Sequence, residues 1–397
     1  MALELADFNL SEERLEFRDM LRRFFEDHCP IVEVRRVMED DGSGHAPKLW
    51  KLASEELGLA GLAIPETYGG QGFGLKELGI ALAEAGRHLA PIPLLASAAL
   101  AGRVVEAVAG EEAGEWLEPI AAGRAAALAW MDGAGEADGD WDPAAVTLEL
   151  VDGGGTGEVQ LTGEKHFVLG ARAAERIFVI ARESGTHCDE GLGLYAVEAD
   201  SEGVEIVTRE SFDLTRPLHC VRLDGALARV VGPRGMAAAG IRRGLDEAVA
   251  LLCAEMVGGM QKVLETAVEY AGERFQFSRP IGSFQAIKHK CADMLIDFEG
   301  SRTAADGALV AFDEGDPEGP VLASVAKAHC GPAYLRMATE SAQIQGGVGY
   351  TWEYDAHLYT RRAFASKAFL GDETLHQERL AMSVARGLDG EGAGHAT

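Results

Sequence analysis

Residues 274–294 read RFQFSRPIGSFQAIKHKCADM. They follow a stretch in which Leu245, Val249, Leu252 and Met256 recur on one helical stripe, so a long helix is predicted that stops near Phe277. Pro280, Ile281 and Gly282 reverse the chain, and Ser283 is expected to cap the next helix. Arg274 then stands at a helix end beside a loop, where a planar guanidinium can fork onto phosphate oxygens. Downstream, Ile287, Cys291, Met294 and Phe298 make a second stripe and Val321, Val325, Ala328 and Leu335 a third. With residues 375–380 the count is four helices, a bundle. Gly258 and Gly259 inside the first helix should let a neighbour approach closely.

Upstream of residue 234 the pattern changes. From about 126 to 231 short alternating runs (146–151, 158–161, 177–181, 192–197, 204–208, 218–223) are separated by turn clusters at 153–155 and 199–203, which predicts a small antiparallel barrel or sandwich. Before it, Ser11 with Glu12 and Glu13 marks a helix start. Pro47 opens and Gly58 closes a second helix, and helical pattern is expected from Leu75 to about Ala122. The fold expected is α+β, mostly α: an N-terminal helical domain (1–125), a small antiparallel β-barrel middle domain (126–233) and a C-terminal four-helix bundle (234–397). The tail from 387 is too rich in Gly and Ala to carry an apolar period. A strand followed by a Gly-x-Gly-x-x-Gly turn is missing, which speaks against a Rossmann site.

The chain has 397 residues, too many for a single core, and a formal net charge of −28. That charge excludes a polyanion partner such as nucleic acid and disfavours an anionic membrane. An anionic ligand needs a local basic pocket instead. Six cysteines without a C-x-x-C pair imply a reducing compartment, and no metal site is expected. The N-terminus has no apolar stretch fit for a signal peptide or span, so a cytoplasmic protein is expected.

Segment 274–294 resembles the R-x-x-F-G-R-P-I-x-x-F-Q-x-I-x-H-x-x-A-D-M signature of the acyl-CoA dehydrogenase family, with Ser278 where the family usually has Gly. A second stretch, Gln343 to Glu353, is similar to the family's Q-I-x-G-G-x-G-Y-x-x-E. The resemblance spans nearly the whole chain and implies FAD held between the β domain and the helical bundle. It implies that Arg274, with Gln276 and Phe277, meets the FAD pyrophosphate of a neighbouring subunit, that Phe284 and Gln285 lie near the adenine half, and that Gln343, Gly346 and Gly347 approach from the partner. Residues 161–169 resemble the family's strand against the flavin ring, with Phe167 as its aromatic and Val168 beside it. Leu169 replaces the usual hydroxyl there. Residues 129–135 stand where the family has T-E-P-x-A-G-S, with most of its polar side chains gone.

Removal of an α proton from a thioester needs a carboxylate base. The family carries it about twenty residues beyond the Tyr of the glycine motif, and ungapped counting from Tyr350 puts Leu370 there. Other members carry it on the long helix, where counting back from Arg274 reaches Ala248. Glu247 is the first choice and Asp246 its neighbour; Glu255 and the pair Asp372 and Glu373 follow. The resemblance implies α,β-dehydrogenation of an acyl-CoA thioester, electrons passed to an electron-transfer flavoprotein, and a homodimer or homotetramer. Lack of an evident base motivates another reading, a non-catalytic or flavin-sharing subunit beside a second acyl-CoA dehydrogenase-like chain. A third is a flavin oxidase or oxygenase on the same fold.

Overall fold

The computed structural model describes residues 10–39, 44–133, 141–152 and 157–392. Residues 134–135, the turn at 153–155 and the first nine residues, all read above, lie outside them. Helix α1 (Glu12–His28) begins where Ser11 Oγ accepts the Arg14 amide at 3.4 Å, with Glu12 and Glu13 favourably placed in its first turn. Helices α2 (Ile31–Glu39) and α3 (Pro47–Leu57) follow, and Gly58 at φ 64° ends α3. Helix α4 (Leu75–Arg87) receives its cap from far along the chain: the Asp313 carboxylate accepts the amides of Leu75 at 2.7 Å and Lys76 at 3.0 Å. The continuous helix expected to Ala122 does not form. Pro91 and Pro93 remove amide donors, and the chain resumes as π-type turns at Leu95–Ala101, then α5 (Gly102–Ala109) and α6 (Gly114–Ala121).

Seven strands make one curled sheet: β1 (Ala126–Ala129), β2 (Leu150–Asp152), β3 (Glu158–Leu169), β4 (Arg176–Arg182), β5 (Leu192–Glu198), β6 (Val204–Thr208) and β7 (Leu218–Val231). Their order is β1-β4-β5-β7-β3-β2, with β6 added on β7 and β1 parallel to β4. The antiparallel barrel is thus reached only half-way. Single bridges, Met131 to His166 and Glu149 to Arg182, draw the free edges together without a full ladder. In β3 a bulge falls between Lys165 and Val168, and Phe167 inside it takes φ 55°. A bulge re-aims a side chain; here it turns Phe167 off the strand's regular alternation.

Helix α7 (Ala238–Glu273) is a rod of 36 residues, about 54 Å long at 1.5 Å per residue. It lies against α4 because Gly258 has no side chain: a Cβ there would stand 1.7 Å from the Ala83 carbonyl oxygen. Next come a hairpin of β8 (Phe275–Gln276) and β9 (Arg279–Pro280), then α8 (Gln285–Asp313), α9 (Gly319–Gln345), α10 (Ala356–Ala368) and α11 (Glu373–Gly392). Four expectations are corrected here. The rod ends at Glu273 because the hairpin takes over from Phe275, and Ser283 is not a cap but donates its hydroxyl to the Pro280 carbonyl at 2.7 Å. The bundle has an additional helix, α10, whose inward face mixes Arg362 and Ser366 with Leu358, Tyr359 and Ala363. Helix α11 also runs on beyond residue 387.

A buried ion cluster ties the sheet to the helices. Arg362 of α10 donates to Asp213 at 2.6 Å, Glu255 at 2.7 Å and the Thr215 hydroxyl at 2.7 Å, while Arg216 donates to Glu255 and Ser366. Burial alone would raise the Asp213 pKa, but Arg362, Arg216 and Thr215 together hold it below the ordinary carboxylate value. Two cations against two carboxylates leave the cluster neutral. Removing one partner strands a buried charge, so Asp213→Ala should cost about 3–5 kcal/mol, read as a lower urea midpoint. A loss under about 0.5 kcal/mol, the surface-site value, would show that the cluster does not hold these layers together.

Candidate active site

Between the sheet and the C-terminal helices lies a cleft of about 890 Å³, lined among others by Trp141, Leu245, Asp246, Val249, Leu370 and Arg379. Its floor is the loop between α10 and α11. Leu370 is buried there at φ 61°, followed by Gly371 at φ 92°, a left-handed backbone that a leucine adopts only when its surroundings impose it. Two buried side chains do so. Lys327 donates to the carbonyls of Lys367, at 2.8 Å, and Gly371, placing a cation at the C-terminal end of α10. Burial lowers its pKa to about 8. His376 binds the Leu370 carbonyl through Nε2 at 2.9 Å, so Nε2 carries the proton and Nδ1 accepts from Ser324. Burial lowers its pKa to about 4, keeping the ring neutral.

The acids weighed as a base are each engaged. Glu247 does not line the cleft: its carboxylate is buried between Arg103, at 2.7 Å, and Arg243, at 3.0 Å. One residue is about 100° of helix, and Asp246 is the one that turns to the cleft. It pairs with Arg379, and burial raises its pKa against that cation. Glu255 belongs to the ion cluster. Asp372 caps α11 by accepting the Thr374 amide at 3.0 Å and the Leu375 amide at 3.1 Å, and Glu373 pairs with Lys367 at 2.9 Å. Leu370, at the counted base position, has no lone pair to offer.

The cofactor candidates fall into two groups. Phe167 and Val168 sit on β3: Val168 faces the sheet interior, while Phe167 faces Trp141 at 6.3 Å between ring centroids. Trp141 also lies 5.6 Å from Trp130 and 5.2 Å from Phe369. The second group forms an exposed arm beyond the end of α7. Arg274 is exposed there with no side-chain partner among the described residues. Phe277 and Ser278 form the hairpin's two-residue loop at φ 53° and 62°, as a type I′ turn requires. Phe277 is 85% exposed and packs edge-on against Phe284, over which Arg279 stacks at 3.9 Å. Gln276, Gln285, Gln343 and Gly347 are exposed, Gly346 is half-buried, and a Cβ on either glycine would meet nothing within 4 Å. Phe275, Val348, Tyr350 and Trp352 add exposed apolar surface around the arm.

The helical rise puts Arg274 about 40 Å along the rod from Asp246. The arm and the chain's own cleft are therefore separate sites. Glu164, His166 and Cys220 are close enough to hold a metal ion. However, Arg209 donates to His166 Nδ1 at 2.9 Å and Arg222 to Glu164 at 3.0 Å, so the ring's lone pair is already used.

Two family models match. One, described as the acyl-CoA dehydrogenase N-terminal domain, covers residues 11–124, and the other, the C-terminal domain of the same family, covers 234–385. The chain belongs to the acyl-CoA dehydrogenase family, a family of flavoprotein oxidoreductases. It is 29% identical to acyl-CoA dehydrogenase IpdE2 of Mycolicibacterium smegmatis over 94% of this chain and 100% of that one. With IpdE2 of Mycobacterium tuberculosis the identity is 31% over 90% and 93%. Among solved structures, a Tcur3481-Tcur3483 steroid ACAD variant superposes with TM-score 0.83 at 29% identity, covering 95% of this chain and 99% of that one. Butyryl-CoA dehydrogenase from Megasphaera elsdenii, at 23% identity over 96% and 100%, shares the fold with TM-score 0.86. No helix among the described residues is long and apolar enough to cross a membrane.

Ser278, where this acyl-CoA dehydrogenase departs from the signature's glycine, bears the cost of a side chain at positive φ. Ser278→Gly should raise stability by about 1 kcal/mol, measured by thermal melting. An unchanged or lower melting temperature would mean that the hairpin is not strained at this residue.

Proposed function

We propose that the protein serves the FAD-dependent α,β-dehydrogenation of an acyl-CoA thioester as a flavin-lending subunit, paired with a second chain of the same fold. Electrons leave to an electron-transfer flavoprotein. The observation that carries this reading is the separation of an exposed, unpaired Arg274 arm from a cleft whose base position is Leu370. The arm fits FAD: a guanidinium without a partner suits the pyrophosphate, and glycines with no atom before them allow close backbone approach. Bound against it, FAD would supply the acceptor for the hydride of the β carbon. Arg274 would hold the phosphates, Phe284 and Gln285 would border the adenine half, and Gln343, Gly346 and Gly347 would close that side. The α proton goes to a carboxylate of the partner chain.

Similarity to a structure whose name joins two components and the word steroid supports both the two-chain assembly and a bulky, ring-bearing thioester. The domains divide near residues 125 and 233, and the six free cysteines support a reducing, cytoplasmic place.

Arg274→Ala is expected to weaken FAD retention by roughly 10–100-fold, since a charge-assisted contact contributes about 1.5–3 kcal/mol. The test is flavin content of the assembled complex after gel filtration, and full retention would remove the arm from the cofactor site.

One observation favours a second reading, a self-sufficient enzyme with Asp246 as base: this acid lines the cleft and its pKa is raised. If the chain alone reduces its flavin with an acyl-CoA, Asp246→Asn should then slow reduction by roughly 10²-fold or more. Glu247→Gln should lower stability with the rate within a few-fold. The reverse pattern would return Glu247 to the role of base.

A further inference from the structure

We infer that the indole of Trp141 stands where a flavin ring would enter this chain's own cleft, so that this cleft takes no flavin and the assembly holds one FAD per two chains. The inference rests on the flavin-lending reading and assigns it a stoichiometry and a residue.

A flat ring bound between the sheet and the α10–α11 loop must slide between Phe167 on one side and Phe369, next to Leu370, on the other. Trp141 already stands between these two rings, 6.3 Å from the Phe167 centroid at 46° and 5.2 Å from that of Phe369, and a further ring layer would need about 3.5–4.0 Å more between carbon atoms. Phe369 meets the indole edge-on, at an interplanar angle of 78°, the geometry of a packed aromatic pair. On the remaining side stands Trp130 at 5.6 Å, with its Nε1–H buried and without a partner.

The wedge is anchored at its base. Asp142, the next residue, pairs with Arg242 of α7 at 2.9 Å and accepts the Ala144 amide at 2.9 Å, fixing a short turn over Pro143–Ala145. Buried Arg182 then donates to the carbonyls of Val146, Ala144, Cys188 and Glu190, the last three at 3.0, 3.0 and 3.1 Å. An arginine spending its donors on four backbone carbonyls clamps this segment to the sheet. Entry of a flavin therefore has to expel an indole whose backbone is held. Arg216, 6.0 Å over the Phe369 ring, closes the far side with a side chain that the ion cluster immobilises.

The test is an FAD titration of the full chain, following flavin fluorescence and protein-bound visible absorbance, with circular dichroism melting as the check on folding. Wild type and Trp141→Phe, which keeps an aromatic wedge, are expected to bind no flavin at saturation. Trp141→Ala is expected to take up FAD with a Kd at least about tenfold below the highest FAD concentration at which wild type shows no binding; Trp141→Leu, which vacates the ring plane, replaces it if the alanine variant does not fold. If a folded Trp141→Ala or Trp141→Leu chain binds no better than wild type, the wedge is overturned and the flavin-lending reading stands. If wild type alone takes up one FAD per chain, both fall.

Discussion

A continuous helix of 36 residues keeps the cleft apart from the exposed arm at Arg274. Helix α7 carries Leu245, Asp246 and Val249 into the cleft at one end and delivers Arg274 to the surface at the other. Its rise leaves about 40 Å between them. Nothing along the rod can bend that distance away, because Gly258 and Gly259 are used for contact with Ala83 of α4 and Tyr334 of α9 rather than as a hinge. On the function proposed above, a chain built this way completes its dinucleotide site with another chain, and the exposed Phe275 and Phe277 beside Arg274 offer apolar surface for that contact.

The same rod decides which acids are free. Glu247 and Glu255 lie two turns apart and each is spent on arginines, the first on Arg103 and Arg243, the second on Arg216 and Arg362. A carboxylate bound at both oxygens by guanidinium groups has neither oxygen free to face a substrate. These pairs join α5, the sheet and α10 to the rod, so the charges that a family relative could devote to catalysis here hold layers in place. Lys327 and His376 extend the pattern to the floor of the cleft, fixing Leu370 in a backbone shape that costs free energy.

Much of this architecture was legible in the sequence where a local rule dominates. Ser11, Pro47, Gly58 and Gly258 each act through the backbone, and each does what its chemistry predicts. The motifs at 274–294 and 346–347 were also readable as expected cofactor contacts. The hairpin was not, because Phe277 and Ser278 adopt positive φ without the Gly or Asn that usually announces it. Helix α10 escaped notice since Arg362 and Ser366 interrupt Leu358, Tyr359 and Ala363 on its buried face and blunt the hydrophobic period. Choosing Glu247 over Asp246 was a matter of one residue of helical rotation, set by Arg103 from a segment whose proximity no pattern reveals. Trp141 gave no signal at all: a tryptophan in a Gly- and Asp-rich stretch reads as loop, and only the clamped turn beneath it shows where the ring goes.

The central claim is one of composition: two kinds of chain share one cofactor. Native mass spectrometry of the intact assembly, purified through a tag on this chain of 42.2 kDa, counts both polypeptides and bound FAD in a single measurement. The account predicts equal numbers of this chain and a second acyl-CoA dehydrogenase-like chain, with one FAD for each such pair. An assembly made only of this chain, with one FAD on every copy, would contradict it.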